Sequence, residues 1–221
     1  METAKREMAF LLAAPERRLL CWLAERMPAW VQSDHMTILG VIGSIGIAVG
    51  YALTELGPGW LWLASGMLVV NWVGDSLDGT MARIRHKERP KYGYYLDHAV
   101  DAGTTVLIGL GIGLSPYVSL ELGLMVVVLY LLLSINVYLE AVVFGVFHLA
   151  YGKVGPTEMR ILLILANTVL FFAPAVTGAT PVLLERIANI VIAIACALMA
   201  LFLLTRFSIS LRKLARMDPL Q

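Results

Sequence analysis

Six long apolar stretches constrain this chain more than any other feature of its sequence. They cover residues 35–55, 59–83, 93–114, 118–148, 158–174 and 187–204. Each is close to the roughly 20 residues that an α-helix needs to cross the hydrocarbon core of a bilayer. The chain is 59% hydrophobic and 15% charged, with a mean hydropathy of +0.78, which is more apolar than soluble domains are. We therefore expect an all-α, polytopic membrane protein with six transmembrane helices.

The first 33 residues differ from the rest of the chain. Charged residues interrupt the apolar ones there, so no cleavable signal peptide is expected. Leucines alternate with charged side chains around Trp22 and Trp30, which is typical of an amphipathic helix in the membrane interface, with an interruption near Pro15. A solvated charged arm is the alternative. We expect one membrane domain over 1–221, comprising an interfacial arm (1–33), a six-helix bundle (34–206) and a cytoplasmic tail (207–221).

The basic residues are distributed asymmetrically along the six stretches. Of the 17 Lys and Arg residues, all except Arg186 fall on one side of the expected membrane. Lys and Arg accumulate in short cytoplasmic loops, so this side is expected to be the cytoplasm and to hold both chain termini. We expect the membrane to be a prokaryotic cytoplasmic (inner) membrane.

Four aspartates lie where the second and third apolar stretches approach the basic side: Asp75, Asp78, Asp97 and Asp101. Residues three or four apart share one face of a helix, so the aspartates form two pairs on adjacent antiparallel helices. Ionisable residues are costly in a membrane and mark functional sites. Carboxylates gathered in this way favour a bound divalent cation, and hard oxygen ligands suit Mg²⁺, Mn²⁺ or Ca²⁺.

Small and basic residues lie between the two pairs of aspartates. Gly79 would let a ligand approach the helix backbone closely, and Arg83, one turn further on, could hold phosphate oxygens in its planar fork. For Gly79 and Gly93 taken alone, close packing of helices through small residues is the simpler interpretation.

The combined pattern has eight positions of defined type, Asp75-x-x-Asp78-Gly79-x-x-Ala82-Arg83, nine residues, then Gly93-x-x-x-Asp97-x-x-x-Asp101. It resembles the signature of the CDP-alcohol phosphatidyltransferase family. The resemblance implies a six-helix membrane enzyme, commonly homodimeric, with an active site that faces the cytoplasm. It also implies transfer of a phosphatidyl group from CDP-diacylglycerol to a small polar alcohol, with release of CMP. Membrane lipids are the expected surroundings, and no nucleic acid is expected as a partner.

The same resemblance implies a role for each residue of the pattern. Asp75, Asp78, Asp97 and Asp101 would bind one or two Mg²⁺ or Mn²⁺ ions, and Asp101 would also act as the catalytic general base for the acceptor hydroxyl. The residues that match the nucleotide-binding positions of the family are Gly79, Ala82, Arg83 and Gly93.

Two other functions remain open at this stage. The run Asp97-His98-x-x-Asp101 resembles one in choline and ethanolamine phosphotransferases, which use CDP-choline or CDP-ethanolamine as donor and diacylglycerol as acceptor; His98 is otherwise a polar packing group. A cation or proton transporter is a more remote alternative, because intramembrane acidic residues also occur in transporters. The sequence shows no inverted repeat of the kind that many transporters contain.

The turn before the fifth stretch contains candidate residues for the acceptor. Lys153, Glu158 and Arg160 lie there, and the resemblance implies acceptor binding in this region; together with His98 they are the predicted acceptor-binding residues. Several cations would favour an acceptor that carries phosphate. The alternative for Arg160 is a topology anchor.

A polar pair lies on the fourth stretch. Asn136 and Glu140 share one helix face, because they are four residues apart. They are expected either to line the same cavity as the aspartates or to form hydrogen bonds between helices or at a dimer interface.

Overall fold

The computed structural model describes residues 12–144 and 155–218, and within these ranges it contains seven α-helices and no strand. They are α1 (Ala13–Arg26), α2 (Ser33–Ala52), α3 (Trp60–Ile84), α4 (Pro90–Gly113), α5 (Leu120–Phe144), α6 (Pro156–Thr177) and α7 (Pro181–Met217), with a 3₁₀ turn at Leu53–Leu56 after α2. Each of the six predicted stretches overlaps one of the helices α2 to α7. The all-α prediction is confirmed.

Several of these helices are suited to a membrane. Ser33–Leu56, α5, α6 and α7 are long and apolar enough to cross a bilayer, so the chain has the character of a multi-pass membrane protein. The helices α3 and α4 have 25 and 24 residues, which is enough length to cross, but their polar residues lower their hydropathy. The count of six transmembrane helices therefore stays a prediction.

Helices occupy both ends of the described chain. Pro15 lies in the first turn of α1, where its missing N–H costs no hydrogen bond within the helix. Because α1 begins at Ala13, just before Pro15, an interruption of the arm near this proline stays a prediction. At the other end, α7 has 37 residues and continues to Met217, so most of the predicted tail extends the last helix.

Close packing of α2 on α3 forms the framework of the structure. A Cβ atom on Gly74 would lie 2.3 Å from the backbone nitrogen of Gly40, and one on Gly43 would lie 2.6 Å from the backbone nitrogen of Asn71. In lipid, such small residues let helix backbones approach and gain van der Waals contacts. The pair is held further by the fully buried side chains of Ile47 and Leu68. This framework carries Asp75 and Asp78.

Replacing Gly74 by Ala is expected to destabilise the protein, because the new methyl group would overlap backbone atoms of α2. Overpacking of this kind costs about 1–3 kcal/mol of unfolding free energy. Gly66→Ala is the matched control on the same helix, since among the described residues no atom beyond its own helix turn lies within 4 Å of its Cβ position. The higher helix propensity of Ala should leave stability unchanged or raise it by up to about 1 kcal/mol. Thermal unfolding in detergent measures both. Equal shifts for the two variants would contradict the packing argument.

Buried polar networks join the remaining helices. The hydroxyl of Tyr51 on α2 donates to Asn167 on α6 at 3.0 Å, and the Asn167 amide donates to Ser65 on α3 at 3.0 Å. Since these donors and acceptors satisfy one another away from water, they fix α6 against the α2–α3 pair.

A second network joins α5 to α7 through the buried carboxylate of Glu140. Its Oε2 accepts a hydrogen bond from Arg206 Nη2 at 2.6 Å, and its Oε1 accepts from Ser210 and from Asn136 at 2.5 and 3.0 Å. The structure thus shows hydrogen bonding between helices for Glu140, while Asn136 bonds to Glu140 within α5.

Candidate active site

A small cavity lies between α2, α3 and α4, and three of the four aspartates of the sequence pattern line it. Its volume is about 10 Å³, which is close to the space that a single water molecule needs. The residues around it are Thr37, Gly40, Asn71, Asp75, Asp78, Asp97, Val100 and Thr104. Asp75 and Asp78 of α3 therefore face Asp97 of α4 across a common space.

Asp101 is the aspartate that does not line this cavity. It lies one turn beyond Asp97 on α4 and is partly buried. It is near enough to interact with the charges of Asp75, Asp97, Arg160 and Asp78. The structure thus brings all four carboxylates into one electrostatic environment, with Asp101 at its margin.

Arg160 enters this site from α6 and pairs with Asp75. Its Nη2 lies 2.7 Å from Oδ2 of Asp75, and its Nε donates to Oδ1 of Asn71 at 2.9 Å. The exposed fractions of the Arg160 and Asp75 side chains are 11% and 25%, so the pair is shielded more than a surface salt bridge. The prediction that Arg160 lies on the same side as the aspartates agrees with this geometry; acceptor binding stays a prediction.

Asn71 is a site residue that the sequence analysis did not identify. Besides accepting from Arg160, it donates through Nδ2 to the carbonyl of Gly40 and to Ser44, both at 3.0 Å. It lies four residues before Asp75 on the same face of α3. The sequence signal that could have identified Asn71 is a polar amide inside an apolar stretch, because polar residues inside membrane helices usually face a partner.

Asp78 is held by the start of α2. The hydroxyl of Thr37 donates to Oδ2 of Asp78 at 2.8 Å, and the hydroxyl of Ser33 donates to the backbone oxygen of Asp78 at 2.8 Å. Thr37 was also missed, because nothing in its own neighbourhood of the sequence shows that it meets α3. These bonds fix the direction in which Asp78 presents its carboxylate.

His98 is packed among aromatic rings. Its Nδ1 lies 2.7 Å from the backbone oxygen of Tyr94 and 3.5 Å from Oδ2 of Asp97. The ring centroids of Tyr94 and Tyr138 are 4.1 and 5.0 Å from that of His98. The geometry supports a packing group that also orients Asp97, and a role of His98 in acceptor binding stays a prediction.

The four predicted nucleotide-binding residues lie outside the cavity wall. Arg83 is exposed and donates to the hydroxyl of Thr80 at 3.1 Å. A Cβ on Gly79 would approach only the Arg83 side chain, at 3.4 Å, and one on Gly93 would meet no described atom within 4 Å. Packing against a neighbouring helix therefore does not explain either glycine, and Ala82 is partly buried beside them. Their contact with a nucleotide stays a prediction.

The remaining acceptor candidates lie near the start of α6. Lys153 is outside the described residues. Glu158 is buried, and its two carboxylate oxygens accept hydrogen bonds from the backbone N–H groups of Leu12 and Gly155, both at 2.9 Å. These bonds cap α6 and attach α1 to it, which explains the residue structurally; its predicted role in acceptor binding is untested.

Two arginines of the α3–α4 connection hold neighbouring segments together. Arg85 donates to the carbonyls of Met27, Pro28 and Val31 in the α1–α2 connection. Arg89 contacts both oxygens of Asp34, at 2.7 and 2.9 Å. Besides their predicted effect on topology, these cations therefore tie the α3–α4 connection to the α1–α2 connection and to the start of α2.

The oxygen donors around the cavity suit a hard divalent cation. Asp75, Asp78 and Asp97 share the cavity wall, although within the described ranges no three acidic, histidine or cysteine side chains converge on one point. Arg160 binds one carboxylate oxygen of Asp75, and Thr37 binds one carboxylate oxygen of Asp78. The side chains are therefore of the type that binds such an ion, but in this structure Asp75 is paired with Arg160 instead.

The described residues thus form an all-helical fold of multi-pass character, with three carboxylates around a small cavity. The model of the family described as CDP-alcohol phosphatidyltransferase matches residues 30–203. The chain therefore belongs to the CDP-alcohol phosphatidyltransferase family, and the resemblance noted from the sequence is confirmed.

Individual relatives extend this comparison. The chain is 27% identical to cholinephosphotransferase 1 of Danio rerio over 169 residues, which are 71% of this chain and 41% of that protein. It is 27% identical to cholinephosphotransferase 1 of Homo sapiens over 183 residues, which are 77% of this chain and 42% of that protein. The chain thus spans less than half the length of these relatives.

Proposed function

We propose that this chain transfers a substituted phosphate group from a CDP-linked donor to an alcohol and releases CMP. The observation that carries the proposal is the cavity lined by Asp75, Asp78 and Asp97 in a chain of this family. The acceptor oxygen forms a bond to the phosphorus atom of the transferred group. The bond from that phosphorus to the bridging pyrophosphate oxygen breaks, and CMP leaves with its electron pair.

The position of Asp101 supports its assignment as general base. It lies beside the cavity rather than in its wall, one turn from Asp97. A carboxylate there would take the proton of the acceptor hydroxyl as the oxygen attacks, which is the step in which a general base acts.

The other aspartates would hold the divalent cation. Asp75, Asp78 and Asp97 supply oxygen ligands for one or two Mg²⁺ or Mn²⁺ ions, together with Asp101. When bound, such an ion neutralises negative charge on the transferred phosphate and its leaving group. Gly79, Ala82, Arg83 and Gly93 would contact the cytidine nucleotide at the mouth of the site.

The membrane arrangement is part of the proposal. The six helices α2 to α7 would cross the bilayer, with both termini and the site on the cytoplasmic side, where the Lys and Arg residues accumulate. A lipid substrate would then reach the aspartates between α3 and α4 from the side, and a soluble substrate would reach them from the cytoplasm. A homodimer is the assembly that the resemblance implies.

Two pairs of substrates are compatible with this chemistry. The family resemblance of the sequence pattern favours CDP-diacylglycerol with a small polar alcohol, and the position of Arg160 beside the cavity supports an acceptor with phosphate. The run from Asp97 to Asp101 and the names of the relatives favour CDP-choline or CDP-ethanolamine with diacylglycerol. Both pairs break the same pyrophosphate bond and release CMP.

Release of CMP by the purified protein tests the proposal and separates the two pairs. We expect turnover in detergent with Mg²⁺ or Mn²⁺ in one of two sets of reactions: CDP-diacylglycerol with inositol phosphate, inositol, glycerol phosphate, serine or choline, or CDP-choline and CDP-ethanolamine with diacylglycerol. Turnover in the second set alone would establish the choline-type pairing. Absence of CMP in every reaction, with no metal-dependent binding of cytidine nucleotides, would contradict the proposal. It would then favour the alternative of a cation or proton transporter.

A further inference from the structure

Glu16 on α1 accepts hydrogen bonds from two other helices through a single carboxylate oxygen. Its Oε1 lies 2.7 Å from the indole nitrogen of Trp72 and 3.5 Å from the hydroxyl of Ser76, both on α3. The same oxygen accepts from the hydroxyl of Thr157 on α6 at 2.6 Å. Hydrogen bonds to a charged acceptor are stronger than neutral ones. Glu16 therefore joins the start of α6 to the middle of α3.

The partners of Glu16 lie directly beside the residues that form the ion pair of the site. On α3, Trp72 and Ser76 immediately follow the two residues that bind Arg160. On α6, Thr157 lies one helical turn before Arg160. The turns that Glu16 ties together are therefore the turns that bring the guanidinium of Arg160 to its partners.

A second carboxylate also connects α1 and α6, but here the acceptor lies on α6 and the donor at the start of α1. Glu158 of α6 accepts from the backbone N–H of Leu12 at the start of α1, at 2.9 Å, while Glu16 of α1 accepts from Thr157 of α6. The arm is thereby attached to α6 at two points. An ordinary interfacial helix needs neither contact, because its apolar face and basic residues suffice to hold it at the membrane.

We propose that Glu16 is a positioning residue that holds α6 against α3 so that Arg160 stays on Asp75 and Asn71. The inference rests on the proposed function of the cavity. The Arg160 side chain is long, so the geometry of its two contacts depends on the separation of the helix backbones, and Glu16 sets that separation through Thr157 and Trp72. Through this connection the N-terminal arm controls where the guanidinium of Arg160 lies relative to the reacting groups.

The kinetic test compares Glu16→Ala in two backgrounds. In the otherwise unchanged protein, kcat/KM for CMP release should fall by roughly tenfold or more, and in the Arg160→Ala background by less than about threefold, since residues that act through one another are not additive. Glu25→Ala is the matched control, because Glu25 is exposed on the same helix, and it should keep the original rate. Equal losses from Glu16→Ala in both backgrounds would overturn the proposal, as would full activity of Arg160→Ala.

Thermal unfolding supplies a readout that does not need turnover. Arg160→Gln should lower the Tm of the otherwise unchanged protein clearly and that of the Glu16→Ala variant by less than half as much. Thr157→Val removes one of the hydrogen bonds but keeps Glu16, so it is the milder variant if Glu16→Ala does not fold. It should also make the Tm change caused by Arg160→Gln smaller. An undiminished effect in both backgrounds would refute the positioning role. Absence of CMP release from every donor would instead refute the transferase proposal. In that case the effect of Glu16→Ala on the Tm change caused by Arg160→Gln would still decide the role of Glu16.

Discussion

Asp78→Asn and Asp97→Asn are each expected to abolish CMP release while the protein is still produced and folded. Each change removes one anionic oxygen ligand from the wall of the cavity and keeps the size of the side chain. Loss of one preorganised electrostatic contact to a reacting group typically costs about 10²–10³ in rate, and a lost metal ligand should cost at least as much. Steady-state assays and thermal unfolding of the same preparations measure the two effects.

Asp34→Asn is the matched control for these variants. Asp34 forms an exposed ion pair with Arg89 away from the cavity, and exposed pairs contribute little to stability. Its activity should therefore remain near that of the unchanged protein. Treatment with EDTA should reproduce the loss seen at Asp78 and Asp97, and Mg²⁺ or Mn²⁺ should restore the rate. Full turnover after complete removal of divalent cations would refute the metal site.

Asp101→Asn is expected to reduce kcat by about 10²–10⁴, the usual contribution of a general base, with little change in the affinity for the CDP-linked donor. The reason is that Asp101 lies beside the cavity, whereas Asp75 is in its wall. An asparagine at position 101 keeps the size of the group but cannot accept the hydroxyl proton. Single-turnover rates and equilibrium binding of the donor separate the two effects.

Asp75→Asn is the comparison variant for this prediction. It removes a cavity ligand that is also the partner of Arg160, so it should weaken donor binding as well as turnover. Equal and severe losses of donor affinity at Asp75 and Asp101 would show that Asp101 acts mainly as a metal ligand.

The positions of the helices could be predicted closely from the sequence. Backbone polar groups in lipid must be satisfied within the segment, so long apolar stretches become helices, and the stretch 59–83 differs by one residue at each end from α3 (Trp60–Ile84). The prediction was poorer at α7, which begins at Pro181 and ends at Met217. A helix that continues beyond its apolar part gives no hydropathy signal, so the stretch 187–204 was too short.

The candidate carboxylates could also be predicted, because the spacing of Asp75 and Asp78 and of Asp97 and Asp101 determines which helix face they share. Their partners could not. Thr37, Asn71 and Glu16 are separated from the residues they contact by tens of positions, and only the rotation and adjacency of the helices bring them together. The same applies to Arg160, whose guanidinium reaches Asp75 across 85 residues of chain.

The sequence by itself determined that this protein is helical and apolar, which residues could provide a hard-oxygen site, and which family it belongs to. These properties depend on composition and on local periodicity, which neighbouring residues already define. Only the tertiary structure decided that Arg160 pairs with Asp75, that Glu158 accepts from the backbone of Leu12, and that Glu16 joins α1 to α3 and α6. Each of these depends on the placement of α6 beside α1 and α3, because a hydrogen bond between distant segments exists only once their backbones are held a few ångströms apart.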